Sequence, residues 1–214
     1  MKILSNIPLI SVCIALSTLG QANTIDGDAT RGQAASAVCT ACHQADGSGM
    51  FMPGGESWPR LAGLDAAYIY KQLKDFNDGT RENASMAPFA AMLNDQQMRD
   101  VSVYYSEMPA TPGKGGESAD LEMLEWGKTL AIHGDWTRYI PSCQSCHGPD
   151  NLGAGQHFPA IAGQHSGYIE AQLTAWQENT RHNDPQHLML AIAERLSPYD
   201  IQAVSAWLSL QPSQ

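Results

Sequence analysis

The chain has 214 residues, a formal net charge of −10 and an isoelectric point near 5.0, with 16% charged and 7% aromatic residues. The acidic balance argues against binding nucleic acid or an anionic membrane surface and suits partners with basic docking patches, although a merely solvated acidic surface has the same charge. Two small domains with such thin cores would need added apolar bulk, and a prosthetic group can supply it.

In chain order, Lys2 and the apolar run at residues 7–19 precede Gly20-Gln21-Ala22, which carries small residues at the −3 and −1 positions of a cleavage site. Residues 1–22 read as a secretory signal peptide, which places the mature protein in the periplasm with no integral span after cleavage; an uncleaved anchor is the alternative. Cys13 lies inside this segment as a passenger. An Ala- and Gly-rich helix is predicted from about Thr30 into Cys39-Thr40-Ala41-Cys42-His43. Residues 45–59 hold six Gly and Pro and read as a loop. Residues 65–77 show helical spacing at Ile69, Leu73 and Phe76, with Gly79 as the stop. Residues 80–89 read as loop, and Asn94 caps a helix running to Met108.

Residues 109–116, Pro-Ala-Thr-Pro-Gly-Lys-Gly-Gly, break every periodicity and read as a linker with few contacts across it. The same order then returns: a helix over 118–132, Cys143-Gln144-Ser145-Cys146-His147, a Gly-containing loop, a helix over 166–178, another loop, and a last helix capped by Ser197. The repeat is visible residue by residue. Trp58-Pro59-Arg60-Leu61-Ala62-Gly63 matches Phe158-Pro159-Ala160-Ile161-Ala162-Gly163; Tyr68-Ile69 and Gln72-Leu73 match Tyr168-Ile169 and Gln172-Leu173; Thr80-Arg81 and Asn83 match Thr180-Arg181 and Asn183. Such duplication means two copies of one fold, residues 23–108 and 117–214. The second copy differs by an insertion at residues 133–141, to which the sequence assigns no role.

In a C-x-x-C-H run, two thiols can bond the vinyl groups of one haem while the next imidazole ligates its iron. One run could be a redox or zinc half-site, but two runs consume all four cysteines of the mature chain and leave no pairs to complete zinc sites. Two covalent haem c groups are therefore expected on Cys39, Cys42, Cys143 and Cys146, with His43 and His147 on the irons. For the opposite axial position the repeat selects Met86 and Met189. They lie 43 and 42 residues after the two histidines, and each lies seven before a leucine at the head of the last helix. Met50 and Met52 remain rivals in the first half. Pro59 and Pro159 open matched segments whose carbonyls could accept the histidines' other ring proton, with a rigid turn as the bland reading. Arg81 and Arg181 could meet haem propionates or simply be solvated. His133, His157, His165, His182 and His187 belong to no motif and read as surface residues.

With the C-x-x-C-H, Pro-x-aliphatic-Ala-Gly and Tyr-Ile-x-x-Gln-Leu segments and the late Met all present twice, the chain resembles the cytochrome c4 family. The resemblance implies an all-α fold of two tandem class I cytochrome c domains, haems near the domain interface, and periplasmic electron transfer between redox protein partners. A dihaem subunit of a thiosulfate or alcohol dehydrogenase is the alternative, and so is a dihaem enzyme with one labile ligand.

Overall fold

The computed structural model describes residues 25–55 and 57–213. The expected signal peptide lies outside the described residues. Helices dominate, and the only extended pairings among those residues are isolated bridges.

The first half contains α1 (Ala29–Ala35), α2 (Thr40–His43), α3 (Ala66–Asp78), α4 (Met86–Ala91) and α5 (Asp95–Ser106). The second contains α6 (Leu121–Ile132), α7 (Gln144–His147), α8 (Ser166–Gln177), α9 (Leu188–Ala193) and α10 (Pro198–Ser209). Caps fix the long helices where the sequence placed them. Asp65 accepts from the Tyr68 N–H at the start of α3, and Gly79 ends that helix in the left-handed region. Asn94 with Gln97, and Ser197 with Asp200, form capping boxes at the heads of α5 and α10.

In each half the first helix crosses the last at a glycine. A β-carbon on Gly32 would run into the Asp100 carbonyl of α5, and one on Gly127 into the Ala203 carbonyl of α10. Only glycine lets the two backbones approach this closely. Above the crossings lie two apolar cores. One gathers Leu64, Ile69, Leu73, Met98, Val101 and Tyr105; the other gathers Leu130, Ile169, Leu173, Trp176, Val204 and Leu208.

Three expectations change. The segments at 80–89 and 179–196 are not wholly loop: the first runs into the six-residue helix α4 from Met86 on, and the second contains α9. Pro88 concealed α4, yet it lies in the first helical turn, where its missing N–H removes no intrahelical bond. The 109–116 segment is also not a loose tether. Gly113 and Gly116 are buried against backbone of α10, and the Lys114 carbonyl accepts the Ser166 N–H. Finally, His165 is no surface residue: it is 2% exposed, with its Nε2 2.9 Å from the Ser48 carbonyl of the other half.

The insertion folds into a tight turn closed by the Asp135–Ile140 bridge. It delivers Arg138 to the nearly buried Asp200 of α10 at 2.7 Å.

Candidate functional site

One continuous cavity runs through both halves, and its walls are mainly apolar. Each Cys pair is presented on a single helical turn, α2 or α7, which ends at the motif histidine. Cys39, Cys42, Cys143 and Cys146 form no disulfide, and all four line the cavity.

Each histidine is held from behind. His43 Nδ1 stands 2.9 Å from the Pro59 carbonyl and His147 Nδ1 stands 2.7 Å from the Pro159 carbonyl. A carbonyl can only accept, so the ring proton sits on Nδ1 and leaves the Nε2 lone pair for a metal. Burial lowers both imidazole pKa values against the opposing pull of those carbonyls, which keeps the rings neutral, as ligation requires. The loops bearing the two prolines are built alike. The Gly49 and Gly153 N–H groups return to the His43 and His147 carbonyls, and the Gly47 and Asn151 carbonyls each accept two N–H groups from the aliphatic-Ala pair after the proline.

Met86 and Met189 stand at the heads of α4 and α9 and line the cavity; Met50 and Met52 do not. The Met86 N–H donates to Asn83 at 2.8 Å, and the Met189 N–H donates to Asp184 at 2.7 Å. A short side chain thus pins the turn that carries each thioether. Of the histidines near Met189, His182 and His187 are exposed and lie off the cavity wall, whereas the exposed His157 forms part of it.

Arg81 and Arg181 are buried, not solvated, and they meet across the two halves. Arg81 donates to Gln72 of its own half at 2.7 Å and to Gln172 of the other at 2.7 Å. Arg181 donates to Gln172 at 2.6 Å and reaches Gln72 at 3.4 Å. Tyr168 and Asn183 complete this crossed lattice. Burial, with the charge of Arg81 added, pushes the Arg181 pKa down. Neither guanidinium has a carboxylate in ion-pair range among the described residues. Two buried cations without anions on the wall of the cavity suit the carboxylates of two haems.

The donor set agrees with haem in a second way. Among the described residues no three His, Cys, Asp or Glu side chains converge into a protein-only metal cage. Haem supplies four nitrogen ligands and needs only the axial groups. A bound haem in each half would be anchored by the motif cysteines, Cys39 and Cys42 or Cys143 and Cys146, with His43 or His147 as the residue to hold its iron.

Sequence reasoning missed Arg60, Gln164 and His165 as a group. Arg60 is fully buried and donates to the carbonyls of Ala62, Ala162 and Gly163 at 2.5–3.1 Å, bridging the halves with no ion-pair partner among the described residues; burial lowers its pKa to about 10. The signal was a break in the repeat: Ala160, Leu64 and Asp65 stand where these three residues have their counterparts.

No helix among the described residues is long and apolar enough to cross a membrane. The family model "Cytochrome c" matches twice, over residues 29–108 and 127–211. A Stutzerimonas stutzeri protein named thiosulfate dehydrogenase electron acceptor is 43% identical over 94% of this chain and 93% of its own length. Cytochrome c4 of Pseudomonas aeruginosa is 36% identical over 94% of this chain and 96% of its own. The crystal structure of reduced cytochrome c4 from Pseudomonas stutzeri superposes with a TM-score of 0.78 at 32% identity, covering 87% of this chain and all of that one. A thiosulfate dehydrogenase from Marichromatium purpuratum superposes at 0.79 and 36% identity, over 86% of this chain and 40% of that one. This chain, with two covalent haem c groups and a role in electron transfer, belongs to the cytochrome c family and within it to the cytochrome c4 group.

Proposed function

We propose that this chain is a periplasmic carrier with two six-coordinate haems, ligated by His43/Met86 and His147/Met189, that shuttles electrons from a respiratory donor to a terminal oxidase or reductase. The observation that carries this reading is that each methionine shares the cavity with its histidine, at a helix head pinned by a side chain. Each bound haem supplies a one-electron ferric–ferrous couple. The residues around it keep the axial groups fixed in both states, exclude water and balance the propionate charge with Arg81 and Arg181. A site filled on both axial sides leaves no position for substrate, which separates a carrier from an enzyme.

A dehydrogenase is the favoured donor, and the 43% identical relative named as a thiosulfate dehydrogenase electron acceptor favours one that oxidises thiosulfate. Docking would then be guided by the acidic surface of this chain against basic patches on its partners. The test replaces each methionine in turn. Met86→Ala and Met189→Ala should each abolish one Met–iron charge-transfer band and open one haem to carbon monoxide, while the parent protein binds none. Retention of both bands in either variant would assign that axial position to another residue. Reduction of the parent by a thiosulfate dehydrogenase, compared with reduction by a quinol-oxidising complex, separates the two donors.

A further inference from the structure

The peptide group that orients His43 is bonded on both of its sides, and the second bond comes from the other half of the molecule. Pro59 C=O and Arg60 N–H belong to one amide. Its oxygen accepts from His43 Nδ1 at 2.9 Å, and its N–H donates to Gln164 Oε1 at 2.8 Å. Gln164 is 4% exposed, and its Nε2 returns to the Arg60 carbonyl at 3.0 Å, so the side chain grips this backbone at two points. The His165 N–H also donates to Gln164 Oε1, which holds the amide in that orientation. The matching amide, Pro159–Ala160, accepts from His147, but among the described residues no side chain of the first half bonds its N–H. Leu64, the counterpart of Gln164, has no group to offer one.

We infer that Gln164, a residue of the second half, is a positioning residue for the haem of the first half, acting through the Pro59–Arg60 amide on His43. An amide whose N–H is engaged becomes a stronger acceptor at its oxygen, because hydrogen bonds in a chain polarise one another. A stronger acceptor behind His43 makes its Nε2 more basic and favours the higher charge on the iron. Gln164 therefore holds the first haem's potential below the value it would otherwise take, and the second haem lacks this device. The inference rests on His43 being the iron ligand of the proposed function.

The test uses the full-length dihaem protein and the exchange suggested by the repeat, Gln164→Leu, with Gln164→Met as an unbranched alternative should Leu disturb the packing. Each haem's redox titration is followed through its own methyl resonances. At a fixed applied potential, the ferrous-to-ferric ratio of the first haem should rise several-fold, and its His43 Nδ1 proton should exchange faster with solvent. The second haem, in the half that bears the substitution, should keep its titration. An unmoved first haem, or two haems shifted together as a loosened interface would shift them, overturns the inference. Failure of the ligand assignment itself has a different signature: the unmodified protein would lack hyperfine-shifted ring protons from His43.

Discussion

The two halves agree at the Cys, His, Pro and Met positions of each site and in the crossed Arg–Gln pairs, and part company at several other side chains along the seam between them. The Cys pairs, the Pro carbonyls behind His43 and His147, the glycine crossings and the late methionines are all duplicated. The exceptions are reassignments of single side chains. Asn83 pins the Met86 turn, but Asp184 takes over that task beside Met189, and Asn183 instead crosses to Gln72 and Asp75. Asp65 caps α3, whereas His165 leaves α8 without a side-chain cap and bonds Ser48 across the interface. Losing such a cap costs about 1 kcal/mol, so the interface contact has displaced a local one. The comparison teaches that duplication preserved the haem chemistry and spent its divergence on joining the copies asymmetrically.

The largest expected effect tests the shared part of that comparison. Gly32→Leu and Gly127→Leu should each cost more than about 4 kcal/mol, since the added side chain meets helix backbone that cannot yield. Chemical denaturation and haem content would show it, and tolerance in one half alone would mean that the crossings are not equivalent.

Next comes the asymmetric lock. Arg60→Ala makes the first half resemble the second but leaves the Ala62, Ala162 and Gly163 carbonyls without their donor, at a cost of about 3 kcal/mol. Limited proteolysis should then cut within residues 109–116, a segment that packs closely in the parent. Unchanged resistance would show that the halves are held elsewhere.

A smaller effect concerns the insertion. In the first half Arg31 bonds Asp100; in the second, Trp126 and Arg138 bond Asp200, one turn nearer the head of its helix. The Arg31 hydrogen bond holds Asp100 well below the usual carboxylate range; burial would raise Asp200, but Arg138 and the Ser197 N–H outweigh it and hold this carboxylate low as well. Carboxylates with depressed folded-state values stabilise the protein above their unfolded value of about 3.9, and that stability is lost as pH falls toward their folded values. Arg138→Met should cost about 1 kcal/mol at neutral pH, a figure discounted because the arginine is 36% exposed. It should also flatten the fall in melting temperature between about pH 4 and pH 2. An acid limb identical to the parent's would remove the insertion from this role.

Much of this molecule was legible from residues alone, because C-x-x-C-H states its chemistry and the repeat singled out Met86 and Met189, which line the cavity where Met50 and Met52 do not. The capped helices α3, α5 and α10 were legible for the same local reasons. What escaped was non-local. The helices α4 and α9 are only six residues each, too short for periodicity to reveal. The crossed pairing of Arg81 and Arg181 depends on two helices meeting across halves, which no spacing encodes, although the matched Gln72 and Gln172 marked polar positions beside an apolar face. His165 was misplaced because a histidine outside any motif carries no sign of burial.

The central claim, two copies of one His/Met haem site, is tested most directly by near-infrared magnetic circular dichroism of the unmodified ferric protein, with intensity normalised to haem content. Intensity at the Met–iron charge-transfer position equal to two low-spin haems per chain is the expected result. Intensity for one haem, with the remainder at the bis-histidine or high-spin position, would contradict it.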